Sequence, residues 1–294
     1  MSDGTSTGRL TRRSLLQAGA AAPLAASARF VWNTDQPARL EGAPEGLRRL
    51  SYRSGVDGAD DWALARPPAR GDLWIVMIHG HGSRGDQLFT RPDIRDSWLP
   101  AFLGAGAGLL TPNLRGNAWM GPAAARDLRD LLAAVRERLG ARRFLLASGS
   151  MGGTSNLIYA ALRPEDVAGV VALGAATDLA SYHSWCRQRN AGVIADIAAA
   201  IEAAYGGPPA RASARYQAHS AVRHARRLQM PVWLCHGARD DLIPVEQTRR
   251  LAGAMATAPD FVYMEAPDGG HDAPLAMMPE AVRWALRRIE EARR

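Results

Sequence analysis

Short apolar runs that alternate with helical patterns are the feature that most constrains the fold of this chain. Residues 73–78 form a continuous apolar run, Leu-Trp-Ile-Val-Met-Ile, which is typical of a strand buried on both faces of a sheet. Similar runs predict strands at residues 106–111, 143–147, 167–173, 231–235 and 261–265. Apolar residues at helical spacing predict helices at about residues 94–104, 123–139, 152–163, 245–257 and 275–292.

The alternation predicts the α/β class, with a mostly parallel, twisted sheet and helices on both of its faces. Residues 47–54 are expected to add an antiparallel edge strand. Residues 178–228 separate two predicted strands by far more chain than a crossover helix needs, so we expect an inserted helical cap there. These patterns predict one domain, residues 29–294, with the cap inserted in it.

Several aromatic residues have two interpretations. Tyr182, His183 and Trp185 begin the predicted cap, and Trp119 follows the strand at residues 106–111. They either wall a substrate pocket or pack the cap onto the core.

The N-terminal residues 1–28 resemble the twin-arginine export signal of bacteria. Arg12 and Arg13 precede a moderately apolar segment at residues 15–26, and Ala-Ser-Ala at residues 26–28 offers a signal-peptidase site. The alternative is an ordinary amphipathic N-terminal helix. We expect a signal peptide and a periplasmic or extracellular protein.

An oxidising destination would permit a disulfide between Cys186 and Cys235, although Cys235, at the end of a predicted strand, is most simply a small buried apolar residue.

Composition and charge argue against two classes of partner. The formal net charge is +7, and all 36 basic residues are arginines scattered along the chain rather than gathered in one basic block. Nucleic acid is therefore not an expected partner. No run approaches the roughly 20 apolar residues of a transmembrane helix, so a stable membrane anchor is not expected either. The sequence does not indicate an oligomeric state.

Residues 148–153, Ser-Gly-Ser-Met-Gly-Gly, carry the strongest local signal for chemistry. They follow a predicted strand and precede a predicted helix, where a serine nucleophile needs small residues two positions before and two positions after it. Ser148 and Gly152 hold those positions around Ser150, although glycine is usual at the first. The alternative is a phosphate-binding turn at a helix N-terminus, but neither Gly-Lys-Ser/Thr nor Gly-x-Gly-x-x-Gly is present.

Two downstream turns supply an acid and a base. The strand at residues 231–235 runs into His-Gly-Ala-Arg-Asp, in which Asp240 can orient a histidine and His236 is interpreted as a structural residue. The strand at residues 261–265 is followed by Gly-Gly-His, in which His271 can reach back to the serine. The candidate nucleophile, acid and base therefore follow one another along the chain in the order Ser150, Asp240, His271. Asp241 and Asp178 remain alternative acids.

Together these motifs resemble the α/β-hydrolase superfamily over nearly all of the mature chain. Leu-Arg-Gly-Asn at residues 114–117 and the double glycine at residues 152–153 are similar to the prolyl-oligopeptidase (S9) type and its small esterase relatives. The resemblance implies that Ser150 is the nucleophile, that His271 is the general base and acid, and that Asp240 orients His271.

Two backbone N–H groups are expected to form the oxyanion hole, from Met151 after the nucleophile and from His81 after the strand at residues 73–78. His79 and His81 also allow a metal site, but no carboxylate or cysteine at useful spacing completes a ligand set, so neither a metal nor another cofactor is expected.

These observations predict an exported serine hydrolase that cleaves small carboxylic esters through an acyl-enzyme. The alternatives are a serine peptidase of the prolyl-oligopeptidase type and a non-catalytic binding protein on the same scaffold.

Overall fold

A nine-stranded sheet with the order β1-β2-β3-β5-β4-β6-β7-β8-β9 organises the chain. The computed structural model describes Met1 and residues 29–292, so the rest of the predicted export signal lies outside the described residues. The strands are β1 (Val31–Pro37), β2 (Arg48–Arg53), β3 (Asp60–Arg66), β4 (Leu73–Val76), β5 (Gly108–Pro112), β6 (Arg143–Gly149), β7 (Gly169–Leu173), β8 (Val232–Gly237) and β9 (Phe261–Ala266). The pairs from β1 through β3 to β5 are antiparallel, and all the other pairs are parallel.

Helices cover both faces of the sheet. They are α1 (Gln87–Thr90), α2 (Pro92–Gly104), α3 (Pro122–Leu139), α4 (Ser150–Leu162), α5 (Leu179–Arg189), α6 (Gly192–Tyr205), α7 (Pro209–Ala218), α8 (Glu246–Ala254) and α9 (Met278–Glu291), with 3-10 helices at Pro164–Asp166, Ala221–Arg227 and Ala273–Met277. Successive side chains along a strand point to opposite faces of the sheet. In β6, Phe144 and Leu146 pack with α3 and α4, whereas Leu145 and Ala147 pack with α2 and α9. The predicted α/β class and mostly parallel sheet are confirmed.

The predicted edge strand is the part of the sheet that the sequence analysis placed wrongly. Residues 48–53 form β2, which lies second from the edge because β1 pairs with its outer side and β3 with its inner side. Both of these strands were missed. β1 reads Val-Trp-Asn-Thr-Asp-Gln-Pro and is mostly exposed, so it lacks the apolar alternation that signals a strand.

Three helices and a 3-10 helix fill the long interval between β7 and β8. They are α5, α6, α7 and the segment Ala221–Arg227. Cys186 in α5 and Cys235 in β8 are both buried free thiols. In the described part of the chain, no helix combines the length and the apolar character needed to cross a membrane.

Candidate active site

Ser150 stands on a strained turn between β6 and α4. Its φ is +55°, a left-handed conformation that costs a residue with a side chain roughly 1 kcal/mol or more. A Cβ at Gly152 would lie 1.9 Å from the carbonyl oxygen of Ile78, which no relaxation of a side chain can relieve. The turn therefore accepts only glycine two residues after Ser150, and it brings the start of α4 directly against the end of β4.

Ser148 departs from the usual glycine for a reason that the packing explains. Its hydroxyl oxygen accepts a hydrogen bond from the backbone N–H of Ile78 at 2.9 Å, and the side chain is fully buried. The serine thus pairs a backbone group beyond the end of β4 that would otherwise be buried without a partner. A small hydroxyl side chain fits this position as well as glycine does and adds a link between the two strands.

Ser150, His271 and Asp240 form one chain of hydrogen bonds. The Oγ of Ser150 lies 2.9 Å from Nε2 of His271, and Nδ1 of His271 lies 2.7 Å from Oδ2 of Asp240. The Asp240 side chain is 0% exposed, whereas the His271 side chain is 15% exposed. The arrangement holds a buried carboxylate, an imidazole and a hydroxyl in line, with the hydroxyl at the accessible end.

Asp240 is held by more donors than the sequence suggested. Its Oδ1 accepts from the N–H groups of Leu242 at 2.9 Å and Ile243 at 2.8 Å, and Nε2 of His236 lies 3.1 Å from Oδ2. Burial alone would raise the pKa of Asp240, but hydrogen bonds with His236 and His271 outweigh it and hold that pKa well below its usual range. The carboxylate is therefore ionised beside His271.

The contact of His236 with Asp240 was not foreseen, although the sequence contains a signal for it. The two residues are four apart across a tight turn that follows β8, and the imidazole of His236 also contacts the carbonyl oxygen of Ile243 at 2.8 Å. His-Gly-x-x-Asp therefore closes on itself, with the histidine behind the carboxylate.

The loops that carry Asp240 and His271 pack directly against each other. The N–H of Arg239 donates to the carbonyl oxygen of Gly269 at 2.9 Å. A Cβ at Gly237 would lie 2.1 Å from the carbonyl oxygen of Gly270, so only glycine permits this approach. The two loops follow the neighbouring parallel strands β8 and β9, which explains how residues 31 positions apart meet.

The two alternative acids lie elsewhere. The carboxylate of Asp178 caps the N-terminus of α5 by accepting from the N–H groups of Ala180 and Ser181. Asp241 is exposed on the loop surface. Of the three candidates, the structure brings Asp240 to His271.

The loop after β4 leaves one N–H group available between two that are used. The N–H of Gly80 donates to Oε1 of Gln87 at 2.9 Å, and that of Gly82 donates to Oδ1 of Asn117 at 2.8 Å. Among the described residues, the N–H of His81 between them has no hydrogen-bond partner. The N–H of Met151 lies in the first turn of α4, where backbone donors have no partner within the helix. Both expected oxyanion donors are therefore available for an external oxygen.

The two histidines of this loop have different surroundings. His79 is fully buried and contacts the carbonyl oxygens of Gly80 and Asn113. Nδ1 of His81 accepts from the indole N–H of Trp119 at 3.2 Å, and burial lowers the pKa of His81. Within residues 29–292, no three His, Cys, Asp or Glu side chains are grouped so that they could hold a metal ion.

Arg115 ties the loop after β5 to the antiparallel part of the sheet. Its guanidinium forms a two-bond pair with Asp57, at 2.8 Å for each bond, and also contacts Ser54 and the fully buried Asp127 of α3. Its backbone N–H donates to Asp61 of β3 at 2.6 Å. The loop held in this way continues into Asn117 and Trp119, the side chains that contact the 80–82 segment.

A pocket of about 220 Å³ opens beside Ser150 and His271. This volume is below the roughly 300–1,000 Å³ of sites for drug-sized ligands. Its apolar lining comes from the strand end, α2, the cap and the two downstream loops, namely Met77, Ile94, Trp98, Val193, Ile197, Leu242, Ile243 and Leu275. Trp119 and Tyr182 are fully buried and pack against each other with ring centres 5.5 Å apart. For these two aromatic residues, packing is the interpretation that fits the structure.

Comparison with known proteins agrees with this architecture. The family model described as "alpha/beta hydrolase fold" matches residues 74–193, which include β4, the Ser150 turn and the start of the cap. The chain thus has the α/β-hydrolase fold. No curated protein matches its sequence.

Solved structures similar to this chain include peptidases and small esterases. A puromycin hydrolase superposes with a TM-score of 0.62 at 18% identity over 82% of this chain, but this chain spans only 38% of that protein. A Pyrococcus furiosus esterase superposes with a TM-score of 0.60 at 15% identity, and the match covers 88% of this chain and 98% of the esterase. A fluorophosphonate-binding serine hydrolase of Staphylococcus aureus superposes with a TM-score of 0.64 at 14% identity, and the match covers 83% of this chain and 99% of that protein. The predicted similarity to prolyl-oligopeptidase-type enzymes and small esterases is confirmed as a similarity of fold.

Proposed function

We propose that the protein is an exported serine hydrolase that cleaves small carboxylic esters through an acyl-enzyme intermediate. The observation that carries this proposal is the hydrogen-bonded chain from Asp240 through His271 to a serine held at φ +55° at the mouth of a pocket. Nucleophile, base and orienting acid at hydrogen-bond distance are the arrangement that acyl transfer requires.

In the first half of the reaction, Oγ of Ser150 attacks the carbonyl carbon and its proton passes to Nε2 of His271. The new oxyanion accepts hydrogen bonds from the N–H groups of His81 and Met151, the free donors beside the pocket. The ionised Asp240 stabilises the imidazolium that forms. His271 then gives its proton to the departing alkoxide as the C–O bond breaks, which leaves the acyl group on Ser150.

In the second half, water replaces the alcohol. His271 takes a proton from the water as its oxygen bonds to the acyl carbon, and the same two N–H groups hold the second oxyanion. When the bond between the acyl carbon and Oγ breaks, His271 returns the proton to Ser150 and the acid is released. The cycle uses only side chains and N–H groups of this chain.

Esters rank above amides because the pocket lining among the described residues contains a single carboxylate, that of Asp272, rather than a pair that could anchor the N-terminus of a peptide. Glu202 is the single acidic residue between Ile197 and Met230, and it already contacts Nε2 of His183 at 2.7 Å. Asp272, which lines the pocket, lies 3.5 Å from Nη2 of Arg91. Glu202 is therefore engaged by His183, and Asp272 alone does not make the pair of carboxylates that would anchor a substrate ammonium group. The second candidate, a serine peptidase, is favoured by the similarity to the puromycin-hydrolysing enzymes.

We expect the purified protein to hydrolyse short acyl esters at least a hundredfold faster, in kcat/KM, than matched amides, which is about 2.7 kcal/mol of transition-state discrimination. The physical reason is that an amine leaves only after it is protonated, so the enzyme must hold the amide in position for that proton transfer. The alkoxide of an activated ester leaves readily. Initial rates on p-nitrophenyl esters and aminoacyl nitroanilides measure the ratio. Comparable rates on a prolyl or alanyl nitroanilide would contradict this prediction and favour the serine peptidase over the esterase.

Export is the part of the proposal that depends on residues 1–28. We expect that replacing both Arg12 and Arg13 by lysine keeps the uncleaved precursor in the cytoplasm, because the twin-arginine pathway reads this pair. The wild-type protein should be cleaved after Ala28, so that the mature chain begins at Arg29. Fractionation of a bacterial host and mass spectrometry of the N-terminus measure both outcomes. Arg9→Lys, outside the pair, is the matched control, and normal processing of the double variant would contradict export by this route.

A further inference from the structure

Four buried or half-buried apolar side chains line one part of the pocket, whose lining also includes the polar side chains of Gln87 and Arg91. Met77 beyond β4, Ile94 and Trp98 of α2, and Leu275 of the 3-10 helix Ala273–Met277 line this part. The first three are buried, with Trp98 only 1% exposed. These four residues are called the acyl hollow below. It lies in the core on the α2 and α9 face of the sheet.

Trp98 lines the acyl hollow, and its indole ring is held in place by a hydrogen bond. Its indole N–H donates to the carbonyl oxygen of Leu275 at 2.9 Å, which satisfies its one polar group. A Cβ at Gly149, the residue before Ser150, would lie 2.6 Å from Cδ2 of Leu275 and 3.5 Å from Cη2 of Trp98. The two side chains therefore pack up to the backbone of the nucleophile turn.

The opposite side of the pocket is more open. Val193 at the start of α6 is 45% exposed, and Ile197 lies one turn further along the helix. In an acyl-enzyme reaction the alcohol must leave before water enters, whereas the acyl group stays bonded to Ser150. The leaving group therefore suits the more exposed part of the pocket beside α6, and the retained acyl group suits the buried acyl hollow.

We infer that Trp98 sets the length of the acyl group and that the substrates are esters of short acids. This inference rests on the proposed function, since it assigns the acyl side of the same site. An apolar chain that reaches the indole ring gains burial with each methylene, but a longer chain must displace a fixed, fully packed side chain. Hydrophobic pockets discriminate by about 10- to 200-fold for one methylene group.

The experiment uses O-ethyl p-nitrophenyl alkylphosphonates in which the alkyl group on phosphorus is ethyl, butyl or octyl. Oγ of Ser150 forms a bond to phosphorus, the bond from phosphorus to p-nitrophenolate breaks, and the serine proton passes to His271. The release of p-nitrophenolate gives the labelling rate, and mass spectrometry identifies the labelled serine. The reaction requires the nucleophile but no ester turnover, so a peptidase would also be labelled.

For the wild-type protein we expect the octyl probe to react at least about tenfold more slowly than the butyl probe. Trp98→Leu should remove or reverse this preference, because the shorter side chain extends the hollow. The matched control is Trp233→Leu, the same change at a buried position in the same core that does not line the pocket. It should keep the wild-type preference despite a similar loss of packing.

Ile94→Phe is a second variant, which should shorten the acyl hollow where Trp98→Leu lengthens it. A larger side chain in the acyl hollow should slow the butyl probe relative to the ethyl probe, and the result does not depend on whether Trp98→Leu folds. An unchanged chain-length preference in folded Trp98→Leu, or an unchanged butyl-to-ethyl ratio in Ile94→Phe, would overturn the inference. Labelling of Ser150 with the expected chain-length preference but without any ester hydrolysis would refute the ester proposal and leave Trp98 as the residue that limits the acyl group. A lack of labelling of Ser150 by every probe would refute both.

Discussion

Replacing Ser150 by alanine should abolish both ester hydrolysis and labelling by a fluorophosphonate probe. Without Oγ no acyl-enzyme can form, and the remaining oxyanion donors and pocket supply only a small part of the rate enhancement. We expect kcat to fall by on the order of 10⁵–10⁶. Steady-state kinetics and in-gel detection of the labelled protein measure the two effects.

Ser148→Ala is the matched control, because it makes the same change two residues earlier in the chain. It removes the acceptor for the N–H of Ile78 and should cost about 1–3 kcal/mol in the free energy of unfolding, while labelling at Ser150 persists. Covalent labelling of another serine in the Ser150→Ala protein would show that the nucleophile lies elsewhere.

Asp240→Asn should lower kcat by on the order of 10³–10⁴ with a folded protein. The ionised carboxylate fixes the tautomer of His271 by accepting from its Nδ1–H, whereas an amide can turn its NH₂ group toward the ring and stabilise the wrong tautomer. The neutral amide also cannot stabilise the imidazolium. Steady-state kinetics on a p-nitrophenyl ester give kcat, and circular dichroism checks the fold.

Asp178→Asn and Asp241→Asn are the controls for this prediction. Asparagine caps a helix about as well as aspartate, so the change at the N-terminus of α5 should leave kcat within a few-fold of the wild type. Asp241 is exposed, and its charge should matter little. A large loss of kcat in the Asp178 variant, together with an active Asp240 variant, would assign the acid to the loop after β7.

The central strands were predictable because burial on both faces leaves a plain signal in the sequence. The runs that became β4, β6, β7 and β8 are almost wholly apolar, and the structure buries nearly all of their residues. The antiparallel strands β1 and β3 give no such signal. β3 reads Asp-Asp-Trp-Ala-Leu-Ala-Arg and is buried mainly at its centre, so its pairing with β5 depends on contacts far away in the sequence.

The candidate site could be predicted as residue types in order, but its geometry required the fold. Motif spacing singled out Ser150, Asp240 and His271, and left Asp178 and Asp241 as alternative acids. The choice among the three depends on where the loops after β7 and β8 lie relative to His271. The contact between His236 and Asp240 and the hollow that Trp98 lines also arise from neighbouring strands and packed helices. Local sequence patterns do not encode such distances.

The ion pairs of Arg115 also bear on which part of this chain can fold and act alone. The segment matched by the family model begins at residue 74, after β1, β2 and β3. Yet Asp57 and Asp61, both before residue 74, hold the side chain and the backbone of Arg115. The loop they support carries the amide that binds the N–H of Gly82. A protein trimmed to its most recognisable segment would therefore lose the support of its oxyanion loop while keeping its nucleophile, and a minimal functional unit must include the antiparallel strands.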